Sequence, residues 1–209
     1  NNNQREQVSN CKTDLTADEF NNYFTSLAQN IVNKLPKCHT DYRKFLNNNK
    51  DLNFSFKEAS FIEINDIITD LKNTKGRDIY GLNKKILVTI RYHILRPLTN
   101  LINMCIRSSI FPDFLKVAKV VPLYKKGNKN NPENFRPISI LPIFAKIFEL
   151  VLKRQLNLHL EEHNLFNNSQ FGFRSKRSTT LAINALVDKI NESFEAKEFA
   201  CTEFLDLTK

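Results

Sequence analysis

The sequence predicts an α+β protein in which amphipathic helices accompany one β-hairpin and one further strand. Apolar residues recur at helical spacing over much of the chain, and two β-branched runs flank a turn-rich stretch within Lys116–Pro142. The segment Glu198–Thr208 alternates with the period of a strand. Because the order is helices, hairpin, helices and strand, the pattern differs from a repeating β-α-β fold.

Composition allows a sizeable core and favours a polyanionic partner. The 209 residues suffice for one large domain or a domain with an extension, and 41% of them are hydrophobic. Lysine and arginine number 31 against 22 acidic residues, a net charge of +9. Such a balance is most often met by nucleic acid.

Cysteine spacing and hydropathy exclude several classes of protein. Cys11, Cys38, Cys105 and Cys201 form no CxxC pair, so neither a zinc site nor a disulfide framework is indicated. No run of 18 apolar residues occurs, so we expect no transmembrane helix.

The first half of the chain predicts helices separated by polar loops. Thr16 and Glu19 have capping-box spacing before an apolar face that Pro36 ends. A second helix is expected near Ile64, with Asn65 as its cap, and residues 72–82 form a surface loop. Residues 83–109 predict one or two helices, kinked or divided at Pro97.

The stretch Lys116–Pro142 predicts a hairpin with a long basic tip. It carries six Lys or Arg and one acid, Glu133. A basic hairpin can lie over a polyphosphate. It can also be an exposed hairpin whose lysines only keep the protein soluble, and composition leaves both interpretations open.

Two more helices are predicted after the hairpin. Pro142–Glu162 has the clearest apolar stripe, and Ser178 caps the next helix. His159 and His163 fit an H-x-x-E-H zinc-peptidase pattern, but no third ligand is evident. We therefore interpret these histidines as a solvated helix end without structural zinc.

Four ordered motifs resemble the N-terminal half of a reverse transcriptase of non-LTR, LINE-like (jockey-like) retrotransposons: KVVPLYKKGN, NFRPIS, QFGFRSKRSTTLAI and FLDLTK. Upstream stretches, LTADEFNNYF, KNTKGRDIYGLNKKIL and FPDFLKVAKV, resemble the same group. The resemblance implies a helical N-terminal extension or connector over residues 1–110. It implies the fingers and the first palm strand of a right-hand polymerase fold over residues 111–209.

The resemblance also implies roles for basic residues. Lys125 and Arg136 match fingers residues that contact the triphosphate of the incoming nucleotide. Nucleic-acid contacts are expected from four further positions: Lys126, Arg174, Lys176 and Arg177.

Asp206 matches the first catalytic aspartate, which holds two Mg²⁺ ions, and Leu207 would offer a backbone carbonyl to a metal. The implied partners are an RNA template, a DNA primer and dNTPs. The remaining catalytic carboxylates of the family belong to a later YADD-type motif. We therefore expect the chain to be a fragment of an RNA-directed DNA polymerase, inactive by itself, from a ribonucleoprotein of nucleus and cytoplasm. The alternative is a truncated or host-retained remnant that acts only as a basic nucleic-acid-binding or interaction module.

Overall fold

The computed structural model describes residues 13–36, 40–41, 44, 53–73 and 76–205. The chain forms two compact units, Asn1–Gln155 and Leu156–Lys209. The described residues contain five α-helices and a two-stranded antiparallel sheet, which agrees with the predicted α+β class. None of the helices described is both long and apolar enough to cross a bilayer.

Helix α1 spans Ala17–Val32 and begins with the predicted capping box. The Thr16 side chain accepts a hydrogen bond from the backbone N–H of Glu19, and the Glu19 carboxylate accepts one from the Thr16 N–H at 2.7 Å. These reciprocal bonds satisfy backbone donors that a helix start leaves unpaired. The helix ends four residues before Pro36.

Helix α2 spans Phe61–Asp70 and begins earlier than predicted. Ser60 is its cap, because the Ser60 hydroxyl accepts a hydrogen bond from the Glu63 N–H at 3.1 Å. The prediction of Asn65 as the cap is wrong, since this residue lies inside the helix. The apolar spacing that predicts this helix begins at Ile64, one turn after the serine that caps it.

Helix α3 runs without division from Lys84 to Ser108 and contains Pro97. Of the predicted alternatives, one helix or two, the structure has one, and Pro97 does not divide it. Proline deprives the helix of one N–H donor, but the surrounding turns remain helical. Near it the buried Thr99 hydroxyl donates to the Leu95 carbonyl at 2.8 Å. Packing of the apolar face against the core outweighs the local cost of the proline.

The predicted hairpin is confirmed, with strands β1, Lys119–Tyr124, and β2, Phe135–Ile140. The backbone N–H of Lys125 donates to the Asn134 carbonyl at 2.8 Å, one step beyond the paired strands. Counting back from this bonded pair, Pro122 and Pro137 face each other in a pair that exchanges no hydrogen bonds. Both prolines thus fit the ladder without costing it a bond.

Helices α2, α3 and the following helix α4, Ile143–Glu162, enclose the core of the first unit. Ile64, Ile67 and Ile147 have no exposed surface, and the ring of Phe148 stacks on Phe111 at 5.0 Å. The core takes residues from both sides of residue 110. The boundary predicted there stays a prediction.

Two amide side chains fasten the segment before α2 to this core. Asn103 accepts from the Ala59 N–H at 2.8 Å and donates to the Ala59 carbonyl at 3.0 Å. Gln155 makes the same pair of bonds with Lys57, at 2.8 and 2.9 Å. Each amide pairs with both the N–H and the carbonyl of one residue, as a neighbouring β-strand would. The extended segment is therefore held although it belongs to no sheet.

The second unit contains the end of α4 and helix α5, Thr179–Glu195, which Ser178 caps as predicted. No apolar side chain described in this unit is buried. The strand predicted over Glu198–Thr208 is wrong for residues 198–205, which form no helix or strand and are exposed. An alternating sequence pairs only where another strand offers its backbone groups, and no described residue does so here. The rest of this strand lies outside the described residues.

Candidate nucleotide and nucleic-acid interface

The tip of the hairpin is a loop held by internal hydrogen bonds. Tyr124 donates its hydroxyl to the Gly127 carbonyl at 2.6 Å, and the Asn134 amide donates to the Asn128 carbonyl at 2.9 Å. A short 3₁₀ helix spans Pro132–Asn134, and the side chain of Asn131 caps it by accepting a hydrogen bond from the Glu133 N–H. Asparagines form such local side-chain to backbone bonds readily, so the sequence builds its own turn.

Gly127 is required at this tip for two reasons. Its φ is +93°, a backbone conformation that residues with a Cβ atom rarely adopt. A Cβ built on it would lie 2.8 Å from the Asn134 amide nitrogen. Any other residue would therefore displace the asparagine that closes the loop.

The strand register places Lys125 and Arg136 on the same face of the hairpin. Arg136 lies opposite Leu123 in the ladder, and Lys125 is two residues beyond Leu123. Residues two apart on a strand share a face, so the two cations are diagonal neighbours. Both are exposed, and neither side chain forms a hydrogen bond or ion pair with a described residue. Their charges are free to meet an anion.

The neighbouring lysines of the tip differ in their contacts. Lys126 is exposed and makes no side-chain bond within the part of the chain that the structure describes. The ammonium of Lys129 lies 5.7 Å from the centre of the Tyr124 ring. The tip therefore adds positive charge beside the Lys125–Arg136 face.

Arg174 is held inside the second unit by an ion pair. Its guanidinium makes two hydrogen bonds to the Glu161 carboxylate, at 3.2 and 2.8 Å, and donates to the Asn167 carbonyl at 3.0 Å. It also lies 4.8 Å from the centre of the Phe166 ring, and its side chain is 10% exposed. The hydrogen bond from Arg174 lowers the pKa of Glu161 below its usual value. The predicted nucleic-acid contact by Arg174 stays a prediction.

The other two predicted positions in this loop differ in exposure, since Lys176 is exposed and Arg177 is half-buried. Lys176 is exposed, with φ +58°, and makes no side-chain bond to the described residues. Arg177 lies 5.3 Å from the centre of the Phe171 ring.

Phe173, which sequence analysis did not single out, lies beside them. It is 99% exposed and has φ +61°, a strained conformation for an aromatic residue. An aromatic side chain in solvent beside cations can stack on a base of single-stranded nucleic acid.

The predicted metal ligands Asp206 and Leu207 lie outside the described residues. Among the residues that the structure does describe, no group of three or more His, Cys, Asp or Glu could hold a metal ion. The rings of His159 and His163 lie 4.3 Å apart, and Nδ1 of His163 is 2.9 Å from the His159 carbonyl oxygen. Because a carbonyl oxygen can only accept, Nδ1 of His163 donates in this contact. The hydrogen bond joins two residues one helical turn apart at the end of the helix.

A second cationic surface, on α3, was also overlooked in the sequence. The helix contains five Lys or Arg and no Asp or Glu. Tyr92 is 78% exposed, and the Arg91 guanidinium lies 4.6 Å from its ring centre and donates to its hydroxyl at 2.7 Å. Arg96 is also exposed. Counting charges for each helix, in addition to apolar spacing, would have found this surface.

A small pocket in the first unit lies away from the hairpin cations. Three lysines line it, Lys72, Lys84 and Lys146, together with Asp78. Lys84 is already bonded there to the Thr69 carbonyl at 2.8 Å. Lys125 and Arg136 are not among its lining residues, so this pocket is separate from the two predicted phosphate-contacting residues.

Comparisons with curated proteins support the resemblance. The chain is 27% identical over 150 residues to a probable RNA-directed DNA polymerase from transposon BS of Drosophila melanogaster, covering 70% of this chain and 17% of that protein. It is 28% identical over 148 residues to a probable RNA-directed DNA polymerase from transposon X-element of the same fly, which covers 69% of this chain and 16% of that protein. It is also 28% identical over 138 residues to the RNA-directed DNA polymerase from the mobile element jockey of Drosophila melanogaster, which covers 66% of this chain and 15% of that protein.

No family model matches the chain. The matched region spans about a sixth of the length of these relatives. Because several polymerases of non-LTR elements each match about two thirds of the chain, the resemblance to this group is confirmed. The chain is similar in sequence to the RNA-directed DNA polymerases of Drosophila non-LTR transposons.

Proposed function

We propose that this chain supplies the fingers and the start of the palm of an RNA-directed DNA polymerase. The complete enzyme would extend a DNA primer on an RNA template with dNTPs. The single observation that carries the proposal is the hairpin, whose ordered tip leaves Lys125 and Arg136 exposed together on one face. The polymerase names of the relatives support it over the alternative of a binding module.

The hairpin would bind the triphosphate of the incoming nucleotide. Arginine presents a planar fork to phosphate oxygens, whereas lysine acts as a compact point charge. The pair would neutralise and orient the phosphates before reaction. Because this contact already exists in the ground state, its loss should raise the KM for dNTP more than it lowers kcat.

Asp206 and Leu207 would provide oxygen ligands of the kind that Mg²⁺ prefers. One carboxylate and one carbonyl do not make a two-metal site, so further carboxylates of the polymerase must complete it. When bound, two Mg²⁺ ions would activate the primer 3′-hydroxyl and stabilise the charge of phosphoryl transfer. The part of this chain in that chemistry would be to hold Asp206 within the FLDLTK segment.

Each unit would contact the template or the primer through cations of its own. Lys126 adds charge at the hairpin tip, and the acid-free helix α3 adds Lys85 and Arg96. Lys176 and Arg177 would contact the phosphate backbone, with Phe173 available for stacking. We propose the same role for Arg174, which would have to bind phosphate from within its ion pair. We place this activity in a ribonucleoprotein of nucleus and cytoplasm.

Primer extension on an RNA template tests the proposal. This chain alone should show no extension, whereas a polymerase that joins it to the later carboxylate motif of a relative should be active. In that polymerase Asp206→Ala should abolish extension and leave template binding largely intact. Arg136→Ala should raise the KM for dNTP about tenfold, as loss of one charged phosphate contact predicts. Full activity of the Asp206→Ala enzyme would overturn the assignment.

A further inference from the structure

We propose that α1 is a positioning element for the hairpin, holding it so that its cationic face is ready for a triphosphate. Phe20 and the segment Thr13–Asp14 would provide this support. The inference rests on the proposed function, because it concerns how the same nucleotide-binding surface is kept in place. Nothing in the motifs or the relatives' names assigns this role to the N-terminal helix.

An aromatic contact joins α1 to the hairpin. The rings of Phe20 and Phe135 meet edge to face with their centres 4.8 Å apart, and the centre of the Tyr124 ring lies 5.5 Å from that of Phe135. Phe20 is 7% exposed and Phe135 is 4% exposed. Phe20 is the only α1 residue that is buried among those described. The helix therefore uses its one buried side chain to hold the hairpin.

The contact lies on the face opposite to the cations. Tyr124 and Phe135 face each other in the ladder, and each is the direct neighbour of one phosphate-contacting candidate, Lys125 or Arg136. Since successive strand residues point to opposite faces, α1 covers the aromatic face and leaves the cationic face open. Contact with α1 on the aromatic face limits how far Lys125 and Arg136 can move. It leaves the cationic face accessible to a ligand.

A polar contact fixes the tip itself. The Thr13 hydroxyl donates to the Lys129 carbonyl at 2.7 Å. Asp14 and Asn130 exchange two hydrogen bonds: the Asn130 amide donates to the carboxylate at 2.7 Å, and the Asp14 N–H donates to the amide oxygen at 3.2 Å. These bonds join residues 116 positions apart in the chain.

The electrostatics of α1 agree with this packing. Burial, followed by the negative charge of Glu133 in the tip, raises the pKa of the Tyr23 hydroxyl above its usual value. Phe20 and Phe135 do not belong to the core cluster of the first unit, which runs from Ala59 to Val151. Loosening α1 should therefore free the hairpin without unfolding the core.

The test compares Phe20→Ala with the rescuing variant Phe20→Leu, which keeps an apolar side chain, and with Val32→Ala, an exposed control on the same helix. Asn130→Ala removes the polar contact separately. Amide hydrogen exchange of the Lys125 N–H, which is bonded to Asn134, reports hairpin opening. Affinity for fluorescent dATP at low salt reports the consequence for nucleotide binding.

Phe20→Ala should speed exchange at Lys125 about tenfold or more and leave exchange in α4 unchanged. The same variant should weaken dATP binding about threefold to tenfold, since preorganisation is lost. Phe20→Leu should restore much of both properties, and Val32→Ala should change neither. Unchanged exchange at Lys125 in both Phe20→Ala and Asn130→Ala would overturn the inference.

Arg136→Ala separates this role from the proposed function. If Arg136→Ala weakens dATP binding while Phe20→Ala does not, the positioning role fails and the triphosphate site stands. If neither variant changes the affinity, the triphosphate site fails, and the positioning role fails with it.

Discussion

The carboxylate of Asp78 accepts a hydrogen bond from the backbone N–H of Ile143 at 2.8 Å, across 65 positions in sequence. Its other oxygen accepts from the N–H groups of Tyr80 and Leu82, at 2.9 and 2.8 Å. One buried side chain thus closes the loop before α3 and caps the start of α4. The start of the helix that follows the hairpin is thus fixed to the loop that precedes α3.

Replacement of Asp78 by alanine should destabilise the first unit. Three N–H groups would lose their acceptor, and each buried donor left unpaired costs roughly 1–3 kcal/mol. Because the loop can relax towards water, we expect a total loss of about 2–4 kcal/mol in the free energy of unfolding. Chemical denaturation followed by circular dichroism measures it.

Asp113→Ala is the matched control for this change. Asp113 pairs with Lys116 at 2.7 Å, but its side chain is 95% exposed. Removing it should change the free energy of unfolding by less than about 0.5 kcal/mol. Equal effects of the two substitutions would show that the Asp78 bonds do not hold the fold.

Arg174→Ala should raise the pKa of Glu161. The pair lowers the pKa of this carboxyl in the folded state, so it contributes stability above the unfolded-state value, about 4.3 for glutamate. That contribution is lost as the pH falls through the lower folded-state pKa. Carbon-13 NMR titration of the Glu161 carboxyl should show its pKa return towards the ordinary range in the variant. Lys189→Ala should leave it unchanged, and an unaltered Glu161 pKa in Arg174→Ala would contradict the interpretation.

Binding of single-stranded RNA should weaken steeply with salt, because phosphate contacts release counterions. Each lost contact should reduce the slope of log affinity against log salt by about 0.7. Lys176→Ala should show such a reduction in fluorescence anisotropy at several salt concentrations. Lys189→Ala is the control, since this lysine is bonded to Glu192 at 2.9 Å. A slope that Lys176→Ala leaves unchanged would remove Lys176 from the interface.

Phe173→Ala should weaken RNA binding without reducing its salt dependence. Stacking on one base contributes about 1–3 kcal/mol and involves no counterion release. The comparison is Phe194→Ala in α5, a phenylalanine that is 71% exposed but lies on a regular helix. The same loss of affinity from both substitutions would indicate general apolar adhesion, not stacking at this loop.

His159 and His163 should bind no structural zinc. Among the described residues, no third His, Cys, Asp or Glu joins these histidines in a group that could hold a metal ion, whereas a structural zinc site takes four ligands. Elemental analysis of protein purified without chelators checks this. One equivalent of zinc that disappears in His163→Ala would contradict the expectation.

Local signals in the sequence predicted the elements well. Thr16 and Glu19 are three residues apart, and the glycine and asparagines of the hairpin tip specify a turn, so both features follow from short-range chemistry. The start of α2 was misplaced although Ser60 was a readable cap. The strand beyond Glu198 was predicted from alternation, but alternation says nothing about whether a partner is present.

Contacts between distant residues could not be predicted in the same way. Nothing in the residues near Asp78 indicates that its second oxygen will meet Ile143, and Phe20 and Phe135 were assigned only to separate elements. Arg174 fits a basic patch by composition, yet the fold brings Glu161 to it and leaves the Arg174 side chain only 10% exposed. Which charges remain free for a ligand is decided by tertiary packing, whereas the sequence lists only which charges exist.

The facing pair Pro122 and Pro137 also determines what can happen at the outer edges of the hairpin. In a pair that exchanges no hydrogen bonds, the N–H groups point away from the partner strand, and proline has none to offer. Each edge therefore lacks a donor near its centre, so a third strand from another molecule cannot complete a ladder there. The ribbon is protected against edge-to-edge aggregation, although its strands are apolar and β-branched. Replacing both prolines with valine would restore those donors and create a site for β-strand addition.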